Sequence, residues 1–153
     1  MNEREQNKAK KTDQLFHHCL YFTANALART ITRVAEEIFR TAGVSPSHAF
    51  LLMGVYEEPG IGPKALAEKL LLAPSTVTRL ADTLIFKGFL RKEAQGKTMN
   101  LFLTEKGSEL LPTIEAAWRK LHMAYVDVLG AEKGDRLALE IDKAAMALEK
   151  TVK

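Results

Sequence analysis

The sequence predicts a mainly α fold that carries a small two-stranded β wing. Three observations support this prediction. Apolar residues recur at helical spacing in both the first and the last third of the chain. Proline and glycine divide the middle third into short helical segments. After these segments, Met99, Leu101 and Leu103 alternate with Asn100 and Phe102, as expected of a half-buried strand.

The first two helices have recognisable ends. A long helical pattern runs over about residues 13–41 and is broken by Gly43. Ser45 can cap the following helix, with Pro46 in its first position. The dipeptide Pro59-Gly60 then stops this second helix. We therefore expect a long helix followed by a shorter one.

Two further short helices are expected in the middle of the chain. Gly62-Pro63 opens the first of them, which extends to about Leu71. The second starts at Pro74 and ends at Lys87-Gly88, a helix C-terminal signal. Two short helices with a tight joint between them form a helix-turn-helix arrangement.

A β ribbon and two more helices complete the expected order. Phe89 and Leu90 begin a strand, and Gly96 lies with Lys97 in a short basic turn before the second strand. Such a ribbon after two helices is a wing. Thr104 returns the pattern to helical spacing, and two apolar stripes follow, separated by Gly130. The stripes are Leu110, Ile114, Ala117, Leu121, Ala124 and Val128, and then Leu137, Ile141, Ala144, Leu148 and Val152.

Composition and charge indicate a polyanion as a partner. The 153 residues are 46% apolar and 27% charged, which suits one soluble domain with a buried core. Residues 61–107 hold eight basic and four acidic side chains, whereas the segments on either side are almost balanced. We expect no membrane span and no secretory signal. With a single cysteine, Cys19, a reducing cytoplasm is the expected location.

The helix that starts at Pro74 has the pattern expected of a DNA-recognition helix. At 100° per residue, one face is apolar, and Ser75, Arg79 and Asp82 lie opposite it. Arginine can donate two hydrogen bonds to guanine, and hydroxyls can contact bases or phosphates. The apolar face comprises Val77, Leu80, Ala81 and Leu84; Thr76 and Thr83 flank the polar face, and Thr78 lies at its edge.

At these residues the chain resembles the MarR family of winged-helix regulators, over nearly its whole length. The resemblance rests on Ser45-Pro46, on LAEKL from Leu66, on PSTVTRLADTL from Pro74, on KGFLRK from Lys87 and on LTEKG from Leu103. It implies a homodimer with interlocking terminal helices, in which each winged helix reads half of a palindromic operator in double-stranded DNA.

The resemblance also sets domain boundaries and site residues. Residues 1–153 would form one unit, with a DNA-binding module at about 45–107 and a dimerisation region at about 13–42 and 108–153. The expected DNA contacts are Ser75, Thr76, Thr78, Arg79, Lys64, Arg91, Lys92 and Lys97. The expected activity is transcriptional repression, released by a small-molecule or oxidative signal.

The chain departs from the family pattern at three places. Leu71 occupies the joint where the family usually has glycine, and Ala73 stands where it usually has a capping serine. In the wing, the usual Asp-x-Arg is replaced by Gln95, Gly96 and Lys97. Lys97 keeps the positive charge without the planar fork of arginine. Phosphate contact is therefore expected of this wing, and minor-groove reading is in doubt.

Candidate signal-sensing residues are scattered. A pocket for a small-molecule effector would draw on His17, Tyr21, Arg29, His48 and Trp118. Cys19 is a candidate redox sensor, although it aligns about two residues from the cysteine of the peroxide-sensing branch. His17, His18 and Cys19 are consecutive, so they diverge by 100° steps on a helix and one ion could take at most one or two of them. We expect neither metal nor cofactor.

The alternative functions are less well supported. No phosphate-binding glycine loop, HExxH or GxSxG motif occurs in the sequence, which argues against an enzyme. The alternative to DNA binding is a winged helix that binds another protein. That alternative predicts that Arg79 and Arg91 are buried or paired with carboxylates.

Overall fold

The computed structural model describes residues 12, 14–96 and 98–152. It confirms the predicted mainly α fold with a two-stranded wing. The chain divides into two compact units, Met1–Glu37 and Ile38–Lys153. In chain order the elements are α1 (Leu20–Phe39), a 3-10 turn (Arg40–Ala42), α2 (Pro46–Glu57), α3 (Pro63–Lys69), α4 (Pro74–Phe86), β1 (Leu90–Gln95), β2 (Thr98–Leu103), α5 (Glu105–Leu129) and α6 (Ala131–Val152).

The first unit contains a helical stretch at residues 14–18 and most of α1. The prediction of one continuous helix from about residue 13 was wrong, because the helix is interrupted at Cys19. The amide of Cys19 donates to the carbonyl of Phe16, 3.2 Å away and only three residues earlier. An α-helix would place that acceptor four residues earlier. Cys19 therefore lies at a break before α1 and not within the first helix.

The second unit has an apolar core shared by α2, α3, α4, the wing and α5. Ser45 caps α2 as predicted, since its Oγ accepts from the amide of His48 at 3.3 Å. Burying large apolar side chains supplies most of the driving force for folding. The largest fully buried residues are Phe39, Leu51, Leu52, Val55, Leu66, Val77, Leu84, Leu90, Leu101 and Ile114.

The first turn of α5 packs closely against the residue that precedes the wing. Thr104 caps α5, its Oγ1 accepting from the amide of Gly107 at 3.0 Å and donating to the carbonyl of Gly88 at 2.6 Å. A Cβ on Gly107 would lie 2.1 Å from the carbonyl oxygen of Phe89. That carbonyl also accepts from the amide of Thr104 at 3.1 Å. The LTEKG sequence therefore ends in glycine because no side chain fits between α5 and the wing.

The wing is a short antiparallel hairpin attached to the rest of the unit. Its register pairs Leu90 with Leu103 and Gln95 with Thr98, which leaves two residues for the turn. A third chain segment pairs with β2, because the amide of Leu101 donates to the carbonyl of Ile61 at 3.1 Å. The base of the wing is thus fixed by hydrogen bonds on both sides of β2.

The helix-turn-helix joint closes with a left-handed leucine. Leu71 has a φ of 53°. Its amide donates to the carbonyl of Glu68 at 3.3 Å, and the amide of Leu72 donates to the carbonyl of Ala67 at 3.0 Å. These two bonds form a Schellman motif, in which the left-handed position is usually glycine. The departure from the family pattern at Leu71 therefore falls on a backbone position that disfavours a side chain.

We expect Leu71→Gly to stabilise the protein by about 1 kcal/mol, since a left-handed non-glycine residue costs about that much. The leucine side chain is 67% exposed, so little packing is lost. Thermal unfolding measures the change. Leu71→Ala is the matched control, because it removes the side chain and keeps the strained backbone. Equal melting temperatures for Leu71→Gly and the wild type would contradict the prediction.

The two C-terminal helices are only partly covered. Ile114 and Ala117 are buried in the stripe predicted for α5, and Leu110, Leu121 and Ala124 pack against the core. The same stripe was predicted to include Val128, which is instead 81% exposed. Val128 lies in the last turn before Gly130, beyond the residues that pack on the core. On α6 the large exposed apolar side chains are Leu137, Leu139, Ile141, Met146 and Leu148.

Within the described part of the chain, no helix combines the length and the apolar character needed to cross a membrane.

Candidate nucleic-acid interface

Helix α4 is held by one face and open on the other. Val77, Ala81 and Leu84 are fully buried, as the helical wheel predicted. Pro74 occupies the first position, where its missing amide hydrogen costs nothing. On the opposite side, exposed and half-buried residues line one concave surface, called here the open face: Ser75, Thr78, Arg79, Asp82, Thr83 and Phe86. Thr76 is half-buried beside it.

The α4 N-terminus lacks a side-chain cap, as the sequence predicted. Ala73 is the N-cap residue, with φ −64° and ψ 139°, and it makes no side-chain hydrogen bond. Serine in the same conformation can accept from an amide of the first turn. We expect Ala73→Ser to stabilise the protein by about 1 kcal/mol in thermal unfolding. Ala73→Val, which supplies no acceptor and is as poor an N-cap residue as alanine, is the control, and an equal gain from both substitutions would contradict the capping explanation.

The two threonine hydroxyls of the open face already donate hydrogen bonds to the backbone. Thr78 Oγ1 donates to the carbonyl of Pro74 at 3.0 Å, and Thr83 Oγ1 donates to the carbonyl of Arg79 at 3.0 Å. Their oxygens keep lone pairs that can accept from a ligand. In this arrangement the two threonines suit amino groups on base edges better than phosphate oxygens.

Arg79 is the principal free cation of the open face. Its side chain is exposed, and no carboxylate among the described residues forms an ion pair with it. The protein-binding alternative predicted a buried or paired Arg79, and on this point it fails. An unpaired guanidinium presents all five N–H donors, in a planar fork that matches guanine or phosphate.

The two basic residues of β1 are engaged within the protein. Lys92 Nζ lies 2.6 Å from Asp82 Oδ1, so this ion pair joins the wing to α4. Arg91 pairs with Glu93 and lies over the Phe102 ring, 4.9 Å from its centroid. The pairing of Arg91 is the outcome that the protein-binding alternative predicted. The backbone-contact role predicted for Arg91 and Lys92 therefore requires DNA phosphates to compete with these partners.

The two remaining predicted DNA contacts differ in what the structure shows. Lys64 is exposed in the first turn of α3. Lys97, the predicted phosphate contact of the wing, lies outside the described residues. Its neighbour Gly96 has a φ of 63°, a left-handed conformation that glycine adopts without strain in a tight hairpin turn.

The effector candidates divide between the two units. His17, Tyr21 and Arg29 belong to the first unit, and Tyr21 is well exposed there. In the second unit, Trp118 packs edge-on against Phe50, with ring centroids 4.4 Å apart. The role of His17, Tyr21, Arg29 and Trp118 as effector ligands stays a prediction.

His48 is the effector candidate with the most distinctive surroundings. Its Nδ1 lies 2.7 Å from Ser45 Oγ, and its Nε2 is buried without a partner. Burial, helped by the positive charge of Lys87, lowers the pKa of His48 below its usual value. The ring is therefore neutral at pH 7, with one nitrogen left available for a hydrogen bond.

Cys19 is half-buried and free. Its redox role stays a prediction. In the described part of the chain, no group of three histidine, cysteine or acidic side chains comes together in a way that would hold a metal ion.

Sequence reasoning missed two features of this surface. The first is Phe86, which is 92% exposed and lines the open face together with Arg79. Its position seven residues after Arg79 places it on the same side of the helix, and that spacing could have revealed it. The second is the Asp82–Lys92 pair, whose members are ten residues apart on different elements.

Comparison with known proteins agrees with this architecture. The MarR family model matches residues 44–95, which span α2 to β1. The Bacillus subtilis (strain 168) HTH-type transcriptional repressor MdtR is 26% identical over 143 residues, which cover 92% of each chain. By these similarities the chain resembles the MarR family of transcriptional regulators, whose family model covers residues 44–95. Members of this family are DNA-binding regulators without enzymatic activity, in line with the sequence prediction.

Two further proteins are similar to this chain, one in sequence and one in structure. The uncharacterised HTH-type transcriptional regulator YybA of B. subtilis (strain 168) is 30% identical over 91 residues, which span 58% of this chain and 61% of YybA. A crystal structure of the M. tuberculosis regulator MosR in complex with DNA superposes with a TM-score of 0.78. That comparison covers 88% of this chain and 98% of MosR at 20% identity, so it bears on the fold alone.

Proposed function

We propose that this chain is a MarR-family regulator that binds a palindromic operator as a homodimer and represses transcription until a signal releases it. The observation that carries the proposal is the open face of α4, where an unpaired Arg79 stands beside Ser75 and Thr78. The opposite side of the same helix is fully buried. A helix anchored in this way can present its side chains to a major groove without losing its place in the core.

The chemistry of the open face suits base edges. Arg79 can donate two hydrogen bonds to guanine O6 and N7, Ser75 can contact bases or phosphates, and Thr78 can accept from an amino group on a base edge. The helix dipole adds a partial positive charge at the N-terminus of α4, which favours a phosphate there. The carboxylate of Asp82 does not oppose DNA binding by repulsion, because it is bound to Lys92.

The local charge supports the approach of a polyanion. Residues 61–107 carry four more basic than acidic side chains. The pairs Asp82–Lys92 and Glu93–Arg91 each cancel one positive and one negative charge, so they leave this excess unchanged. Such an excess on one module raises the encounter rate with DNA and supports non-specific binding.

The homodimer follows from apolar surface on the terminal helices. Leaving large apolar side chains in water is unfavourable, and contiguous patches of them mark interaction sites. A two-fold dimer places its recognition helices symmetrically, and its operator is then a palindrome. The residues concerned are Leu15, Phe16, Leu20, Tyr21, Phe22, Ile31 and Val34 in the first unit and Leu137, Leu139, Ile141, Met146 and Leu148 in α6.

Release by a small-molecule or oxidative signal is part of the proposal. A ligand acts by binding better to one arrangement of the dimer than to the other, which shifts the DNA-competent population. The predicted ligand residues are His17, Tyr21, Arg29, His48 and Trp118, and the predicted oxidation site is Cys19.

Selection of bound duplexes from a random pool tests the proposed function. The full chain is expected to enrich one two-fold symmetric sequence, with two protomers bound to each duplex in sedimentation. A recovered pool with the same sequence distribution as the input would contradict specific DNA binding. Enrichment of an asymmetric site by a single protomer would contradict the homodimer.

A further inference from the structure

Phe86 occupies a position on α4 that the fold does not require to be apolar. It is 92% exposed, whereas Val77 and Leu84 of the same helix are fully buried. Within the described part of the chain, Phe86 has no aromatic or cationic ring partner. An isolated apolar residue on a surface needs no explanation by itself. The position of Phe86 relative to Arg79 is what makes it informative.

Phe86 lies on the open face together with the residues proposed to read DNA. At 100° per residue, Ser75, Arg79 and Phe86 fall within about 40° of one another around the helix axis. The same concave surface is lined by all three residues. At about 1.5 Å per residue, Phe86 stands about 10 Å along the helix from Arg79. The base steps of one DNA strand are about 3.4 Å apart, so this distance corresponds to about three base pairs.

The surface between Arg79 and Phe86 suits an uncharged group, because its polar side chains are already bonded within the protein. Asp82, one turn before Phe86, has its carboxylate bound to Lys92 at 2.6 Å. Thr83 Oγ1 donates to the carbonyl of Arg79. The polar groups beside Phe86 are thus engaged within the protein. An apolar ring in this setting gains most from an apolar partner.

We propose that Phe86 contacts the 5-methyl group of a thymine in the operator, about three base pairs from the base contacted by Arg79. The inference rests on the proposed function and adds a specificity-determining residue to it. The thymine methyl is the apolar group that base pairs display in the major groove. Covering one methyl group corresponds to about a fourfold gain in affinity in each half-site. Phe86 therefore favours thymine over cytosine at one symmetric pair of positions.

Deoxyuridine substitution in the selected duplex tests this contact, because it removes the methyl and keeps the base-pairing edge. Each symmetric pair of thymines is replaced in turn, and affinity is measured by fluorescence anisotropy. We expect the wild type to lose about fourfold per half-site at one pair of positions. Phe86→Ala should bind the thymine duplex more weakly and show no further loss with deoxyuridine at that pair.

Two controls separate this effect from folding and from general loss of apolar surface. Phe86→Ala should keep the wild-type melting temperature, because the side chain it removes is exposed. Tyr56→Ala removes another large exposed ring, in α2, and should leave both DNA affinities unchanged.

Four results would overturn the inference. A wild-type protein that binds the selected duplex and is indifferent to deoxyuridine at every position has no methyl contact. Equal weakening of Phe86→Ala on the selected and scrambled duplexes would assign Phe86 to the sugar-phosphate backbone. A change confined to self-association would assign it to a second copy of the chain. If the wild type enriches no sequence from the pool, the proposed function fails, and this inference fails with it.

Discussion

Replacing Arg79 with alanine is expected to weaken binding to the selected duplex by about 1–3 kcal/mol and to blunt discrimination at one symmetric base pair. The reason is the isolation of this side chain. It is exposed on the open face and has no ion-pair partner among the described residues, so all its donors are available to a base. The measurement is fluorescence anisotropy on the selected duplex and on duplexes with each base pair exchanged in turn.

Two variants control the Arg79 experiment. Arg79→Lys keeps the charge without the planar fork, so we expect it to retain non-specific affinity and to lose base discrimination. Arg119→Ala removes an exposed arginine from α5, where Glu115 is its ion-pair partner at 3.9 Å, and should leave the discrimination intact. If Arg79→Ala loses equal affinity on the selected and scrambled duplexes, Arg79 contacts a phosphate and does not read a base.

Replacing Gly107 with alanine is expected to destabilise the second unit by about 3 kcal/mol, the upper part of the usual range for overpacking. The added Cβ would meet the carbonyl oxygen of Phe89 at 2.1 Å, and a backbone atom cannot turn away as a flexible side chain can. Relieving the clash moves a carbonyl that accepts from the amide of Thr104. In thermal unfolding, the melting temperature should fall by about 6–12 °C.

Gly134→Ala is the matched control for this prediction. It makes the same substitution in α6, where the new Cβ would meet the Tyr125 ring at 3.5 Å, an ordinary contact. Because alanine favours the helix more than glycine, this variant should be neutral or stabilised by up to about 1 kcal/mol. A Gly107→Ala variant as stable as the wild type would show that α5 and the wing are not packed as closely as described.

The order of elements could be predicted because its signals are local. Pro46, Pro63 and Pro74 mark helix starts, and Gly88 ends α4 with a φ of 77° in a Schellman motif. The buried face of α4 followed from helical periodicity alone. The break in the helix at Cys19 was not predicted, because no proline or glycine lies there.

The candidate site could be predicted only in part, because pairing between elements is not local. The position of Arg79 followed from the helical wheel, but its freedom from carboxylates did not. The Asp82–Lys92 pair joins a helix to a strand and depends on how the two pack together. Arg91 and Glu93 are two residues apart on one strand, so they lie on the same face, and their pairing was accessible to sequence reasoning.

The backbone strain at Leu71 is the structural consequence of one departure from the family pattern. The sequence revealed only that a usual glycine was missing. The structure adds that Leu71 occupies the left-handed position of a Schellman motif between α3 and α4. The chain therefore accepts backbone strain in the joint that leads into α4.

The specificity ratio of the wild-type protein tests the central claim, DNA reading by the open face of α4, most directly. Its affinity is measured by fluorescence anisotropy at one salt concentration, on the selected duplex and on a scrambled duplex of the same composition. We predict that the selected duplex binds at least about 10³-fold more tightly, as is usual for specific operators. Equal affinities for the two duplexes would contradict the proposal that this regulator reads DNA sequence.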